Sequence, residues 1–334
     1  MQLHLILKLA IILFFCTHVT VFAQEKVAET VAEKVKPAVD NTKNIEADTK
    51  TDNKTTDTKT SDTKTNTNKE SKVIIPLPVS QELQHKEDLT HYLPANNISP
   101  ILAGPDDYLT LINENTSVNS KGVAILLPDW QQGAVSPKAI NFLRKALPKK
   151  GWTTISIQPA SKPDNFPSSA ITISDQKLAN KTIIDDYKKK LSALINALLT
   201  KSKEYPGIVI IIAQGNHGAM LVDIFEQQNS SQDGIMPNAL VLLSSYLLNS
   251  NELIDETNTA FAKKLANSEY PVLDLYLQYD NPIVLNKAAQ RLTIASQELK
   301  AYYRQRQIKN SAAGYYPEKA LITQITSWLK SIGW

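Results

Sequence analysis

From residue 122 onward, short apolar runs alternate with segments whose apolar residues recur at helical spacing. GVAILLP (122–128) is the first run. SPKAINFLRKAL (136–147) follows as a helix, with Ser136 and Pro137 standing as N-cap and first helical residue. TTISIQP (153–159) predicts a strand, and DQKLANKTIIDDYKKKLSALINALLTK (175–201) predicts the longest helix. GIVIIIAQ (207–214) carries apolar residues at consecutive positions, which predicts burial on both faces and a place at the centre of a parallel sheet. AMLVDIFEQQ (219–228) continues as a helix, NALVLLSS (238–245) as a strand, TNTAFAKKLAN (257–267) as a helix and PVLDLYLQ (271–278) as a strand. IVLNKAAQRLTIASQELKAYYR (283–304) reads as helical, RQIKN (306–310) as a last strand and EKALITQITSWLKS (318–331) as a closing amphipathic helix. Upstream, YLTLINEN (108–115) is expected to pair antiparallel with the strand starting at Gly122.

This alternation implies an α/β fold: a three-layer αβα sandwich around a mostly parallel sheet. Right-handed crossovers then gather the strand C-termini, and any site, on one edge.

The N-terminus changes the picture of where such a domain works. MQLHLILKLAIILFFCTHVTVFAQEK places Lys8 before an apolar run and offers Val21-Phe22-Ala23 as a cleavage site, so residues 1–23 are expected to be a removed secretory signal. An uncleaved anchor is the other reading, but the uninterrupted run is far short of the ~18 residues a spanning helix needs. Lipidation at Cys16 is opposed by the bulk of Phe15. Cys16 is the only cysteine, so a cleaved chain has none, which points to a bacterial envelope and the periplasm, with no membrane span after cleavage.

Residues 24–72 contain no aromatic residue, no Gly and one Pro, and Asp-Thr-Lys-Thr recurs at 48, 57 and 62. Ten Lys face ten acids there, a composition that cannot bury enough apolar surface to fold, so a disordered linker is expected. EKVAETVAEKVK (25–36) has a Val/Ala stripe suited to a transient helix. The tract reads either as a tether or as a docking tail. Residues 73–334 then form one large domain with 25 basic and 23 acidic residues and no basic block, which leaves no electrostatic footprint for nucleic acid.

GWTTISIQP, YPGIVIIIAQG, PNALVLLSSY, YPVLDLYLQYDN and AYYRQRQI fall in an order and spacing that resembles an exported proteobacterial family of unknown function. The resemblance covers roughly residues 83–334. It implies an α/β-hydrolase-like fold and a periplasmic address, and it brings no established reaction.

A working hydrolase of that fold needs a nucleophile on the sharp turn after the central strand, flanked by small residues. It also needs an acid after a later strand, a His after the last one, and backbone amides for the oxyanion. The turn here reads AQGNHGA (213–219). Gly215 at the apex brings no side chain, and Asn216 at the apex puts Gln214 where a small residue belongs. His217 at the apex gives Gly-x-His-x-Ala, with Gly215 and Ala219 as the small neighbours, and a nucleophilic or general-base His is chemically allowed. The plainer reading is a turn that needs residues tolerant of positive φ, here Gly215, Asn216 and Gly218.

Asp280 occupies the expected acid position, although Asp280-Asn281-Pro282 equally makes an ordinary turn. The His position is empty, because no His follows 217, and His85 and His91 precede the core strands. A Ser-His-Asp relay therefore cannot be assembled in the usual way. The oxyanion segment reads LLPDWQQGAVSP (126–137), where Pro128 removes one donor and Trp130 either lines a pocket or caps the sheet edge. Asp129 is a candidate to pair with His217 and orient its ring, which with Asp280 gives a candidate catalytic set of His217, Asp280 and Asp129. Ser244-Ser245 is a runner-up hydroxyl pair that reads as a cap. No phosphate loop, dinucleotide fingerprint, metal-ligand cluster or cofactor motif is present. Two classes remain: a non-catalytic envelope protein binding a small molecule or a protein partner, or an esterase-like hydrolase centred on His217.

Overall fold

The computed structural model describes residues 78–229, 235–248 and 254–334; the expected signal segment with Cys16 and the 24–72 tract lie outside the described residues. Eight strands form one sheet in the order β1-β2-β4-β3-β5-β6-β7-β8. They are β1 (Ile98–Ala103), β2 (Asp106–Asn113), β3 (Gly122–Leu127), β4 (Trp152–Ile157), β5 (Ile208–Gln214), β6 (Ala239–Leu243), β7 (Val272–Leu277) and β8 (Tyr303–Ile308). β3 to β8 run parallel, and β1 and β2 add an antiparallel edge.

The helices are α1 (Gln81–Tyr92), α2 (Ile140–Ala146), α3 (Ile173–Ser202), α4 (Gly215–Asn229), α5 (Ile254–Asn267), α6 (Pro282–Gln297) and α7 (Glu318–Ser331). Strand periodicity decides which side chains meet which layer. In β3, Val123, Ile125 and Leu127 join a core with Leu191 and Leu194 of α3, Leu221 of α4 and Phe261 of α5. Ala124 and Leu126 face the other way, onto Ile140 and Leu143 of α2 and Ile325 and Trp328 of α7. β5 divides in the same manner, Ile211 and Ala213 to one face and Ile210 and Ile212 to the other. Burial on both faces is why its apolar run is unbroken, and the three-layer α/β architecture follows.

Three expectations are corrected. The segment around 108–115 pairs antiparallel with β4 and β1, not with the strand starting at Gly122, whose neighbours are β4 and β5. Ser136 is not the helix N-cap: α2 starts at Ile140 behind Ala139, and the Ser136 hydroxyl donates to Gln132 Oε1 at 2.6 Å. The helix expected to run to 304 stops at Gln297, and the chain turns through left-handed Leu299 (φ 52°) and Tyr302 (φ 56°) into β8. Asp274, inside β7, is fully buried and paired with Arg291 of α6, Nε to Oδ2 at 2.8 Å.

Candidate functional site

The elbow is built where β5 ends at Gln214 and α4 begins at Gly215. Gly215 carries φ +59°, the left-handed conformation that a sharp strand-to-helix turn demands of its apex. His217 has no such backbone and lies within the first turn of α4. The register with His217 at the apex is therefore not the one adopted. The apex is Gly215, which has no side chain to react.

A side chain is excluded there by more than the backbone. A Cβ on Gly215 would stand 2.4 Å from Asp129 Cγ and 2.6 and 2.7 Å from its two oxygens. The Asp129 carboxylate, from the loop after β3, occupies the space a nucleophile would need. Its Oδ1 accepts the backbone N–H of Asn216 at 2.9 Å and the backbone N–H of Trp130 at 3.0 Å. Asn216 Nδ2 approaches the same oxygen at 3.5 Å. In a hydrolase of this arrangement, the amide following the apex and an amide of the loop after the corresponding strand bind the oxyanion. Here both amides hold a carboxylate of the chain itself. Crowding by protein lifts the Asp129 carboxyl above the ordinary carboxylate range, more than the amide bonds pull it down.

Gly218 serves a packing purpose. A Cβ there would meet Ser245 Oγ at 2.1 Å, so glycine lets α4 close against β6.

His217 points under the elbow and is fully buried. Its Nδ1 donates to the Pro128 carbonyl at 2.5 Å, and its Nε2 accepts the Tyr187 hydroxyl at 2.6 Å. The Tyr187 ring stacks on it at 5.8 Å, and the Tyr187 hydroxyl also lies 2.8 Å from the Ala160 carbonyl. With both ring nitrogens engaged, the expected pairing of Asp129 with His217 is absent. Burial holds the imidazole pKa down at about 4, so the ring is neutral in the neutral range. Trp130 is buried too, packed on Phe166 and Tyr187. It forms part of an aromatic wall beside His217.

Asp280 follows β7 by three residues and does reach the edge. Its Oδ2 accepts the Ser244 hydroxyl at 2.5 Å and the Leu277 N–H at 2.8 Å, while Oδ1 accepts the Asn281 N–H at 2.7 Å. Ser244, left-handed at φ 50°, also shares a 2.5 Å contact with the buried Tyr316 hydroxyl. Asp280 is thus a turn-former and the partner of a serine, with no imidazole against it. Between the two halves stands half-buried Tyr246, its phenol near the side chains of Asn216 and Asn281. Burial raises its phenol pKa, and the charges of Asp129 and then Asp280 add to the effect.

The structure therefore brings Asp129, Gly215 and Asn216 together, sets Asp280 with Ser244 nearby, and turns His217 and Trp130 inward. Tyr187, Tyr246 and Tyr316 escaped the sequence reading. A tyrosine amid apolar helix or loop residues carries no spacing signal that marks it as a neighbour of the elbow. Among the described residues no group of three or more His, Cys, Asp or Glu side chains is placed to hold a metal ion. No described helix is long and apolar enough to cross a membrane.

Solved structures similar to the chain include dienelactone hydrolase from Anabaena variabilis ATCC 29413, at 11% identity over 70% of this chain and 96% of that one, with a TM-score of 0.48. An alpha-beta serine hydrolase homologue from Coxiella burnetii is 10% identical over 72% of this chain and 100% of that one, with a TM-score of 0.48. Est1E from Butyrivibrio proteoclasticus is 12% identical over 71% of this chain and 100% of that one, again with a TM-score of 0.48. No curated protein sequence matches the chain. The fold itself is α/β, a mostly parallel eight-stranded sheet flanked by helices. The family model described as "Protein of unknown function (DUF3530)" matches residues 6–331, and the chain belongs to that family.

Proposed function

We propose that this is a catalytically degenerate α/β-hydrolase-fold protein, exported to the periplasm, that acts by binding a small molecule or an envelope partner. One observation carries the reading: Asp129 Oδ1 accepts the two amides, of Asn216 and Trp130, that an active site of this fold keeps free for its oxyanion. A substrate carbonyl would have to displace that carboxylate to reach the two amides, and the apex glycine offers no nucleophile to add to it and form a tetrahedral intermediate. Supporting it, His217 is buried with both nitrogens spent, and Ser244 faces a carboxylate, which is a weak base for a hydroxyl. The periplasmic address is supported by the signal-like N-terminus.

The test is turnover of short-chain and medium-chain nitrophenyl esters by the purified protein, beside His217→Ala and Ser244→Ala variants. The expected outcome is the buffer rate in all three. Turnover that disappears in either variant, with the circular dichroism spectrum unchanged, would overturn the proposal and identify the reacting centre.

A further inference from the structure

Arg144, on α2, is 4% exposed, and its guanidinium has no carboxylate partner among the described residues. Its Nη1 donates to Asn113 Oδ1 at 3.4 Å and its Nη2 to Asn141 Oδ1 at 3.1 Å, both neutral acceptors. Nε is buried with no hydrogen-bond partner at all. A buried cation satisfied only by amide oxygens, with one N–H orphaned, is a costly arrangement for a fold to keep. Burial alone pulls its pKa below the usual arginine value, as expected when no anion stands near.

Arg144 lines a cavity of about 460 Å³ between α1, the loop after β3 and the end of β4. That volume falls within the roughly 300–1,000 Å³ of small-molecule sites. Leu89, Leu93, Val135 and Pro137 give it apolar walls. Three of the polar members, Gln158, His85 and Asn141, carry donors. Gln158 Oε1 accepts the Ala134 N–H at 3.0 Å, so its Nε2 is the donor facing His85 Nδ1 at 3.3 Å. His85 then carries its proton on Nε2. Asn141 spends its oxygen on Arg144 and keeps its amide N–H groups. Lys145 adds a second cation at the exposed rim, where Asp88 is the one carboxylate in the lining.

We propose that this cavity binds a small organic monoanion, a carboxylate on a medium-length apolar body, with the carboxylate on Arg144 and the body against the Leu89–Val135 wall. The site is separate from the elbow. The inference extends the binding reading above by naming a ligand class, and it does not require the elbow to be inactive.

The experiment is titration of the full-length protein with decanoate, and with decanol as the uncharged counterpart, followed by calorimetry. Saturable single-site binding of decanoate is expected, with decanol at least about tenfold weaker because the charge-assisted hydrogen bonds are missing. Arg144→Met should weaken decanoate to the level of decanol while leaving decanol unchanged. Val135→Trp, at a partly exposed wall position, keeps the cation but fills the cavity, and should abolish binding of both. This second variant decides the matter if Arg144→Met does not fold. No saturable decanoate binding, equal affinity for decanoate and decanol, or binding unaltered in Val135→Trp overturns the proposal. Ester turnover is read separately, so either proposal can fail without the other.

Discussion

Replacing Gly215 by Ala tests the occupied elbow most directly. Two costs are expected. An L-residue at φ +59° pays about 1–2 kcal/mol for the left-handed conformation. The added Cβ also lies 2.4 Å from Asp129 Cγ, so the carboxylate must shift away from the turn. That shift sacrifices the hydrogen bonds from Asn216 and Trp130, worth about 1.5–3 kcal/mol each when the acceptor is charged and less as water replaces them. The substitution should cost about 3–6 kcal/mol in all, the upper range for one methyl group. In an Asp129→Ala background the collision is gone, and only the backbone cost of about 1–2 kcal/mol remains.

The assay is urea unfolding of the four proteins of that cycle, followed by circular dichroism and tryptophan fluorescence. A lower midpoint with unchanged slope is the sign of a true stability change. The expected coupling between the two positions is about 2–4 kcal/mol, favourable to the double variant. Additivity within about 0.5 kcal/mol would refute the reasoning, because it would mean that the Asp129 carboxylate does not occupy the apex position.

Two further outcomes follow from buried groups. His217 is held neutral with a pKa near 4 against about 6.5 in the unfolded chain, so the unfolded state binds more protons in that window and stability falls as pH drops from about 6.5 to 4, by about 3 kcal/mol. The raised Asp129 carboxyl acts in the opposite sense, so the comparison with His217→Gln isolates the histidine: the variant should lack this loss in pH-dependent urea midpoints, and equal slopes would contradict it. Asp274→Ala strands the 1%-exposed Arg291, whose Nη1 already lacks a partner, and should cost about 3–5 kcal/mol in the same assay. Asp274→Ala with Arg291→Met should recover most of that loss.

The sheet was legible because its signal is collective. Five short strand-like runs, each followed by helical spacing, leave few arrangements other than a covered parallel sheet, and the observed strands match the runs closely from β3 to β7. What escaped is what has no periodic signature. α1 buries only Leu89, so its pattern is almost wholly polar, and β1 is interrupted by Pro100 at the sheet edge. The end of α6 was missed because SQELKAYY contains neither Gly nor Pro. The chain turns instead at Leu299 and Tyr302, residues that seldom adopt a left-handed backbone and so give no warning.

The elbow shows a different limit. Sequence spacing identified the turn and left two readings: a plain turn that needs residues tolerant of positive φ, which Gly215 bears out, and His217 as the apex, the one register that gives Gly-x-His-x-Ala. The second reading assumed that the apex must carry a side chain. Once a carboxylate from another loop fills that space, the constraint reverses. The apex must be glycine, and the next residue but one is free to be large because it turns inward, as His217 does beneath Pro128 and Tyr187. Asp129 and Gly215 are 86 positions apart, and only the parallel pairing of β3 with β5, Leu127 opposite Ala213, brings their loops together. The chemistry of this elbow is therefore set by a long-range contact. The same loop after β3 that supplies Asp129 runs on through Gly133, Val135 and Pro137 to line the Arg144 cavity. One segment thus fills the apex of the turn after β5 with Asp129 and, a short distance along the chain, lines the cavity beside Arg144.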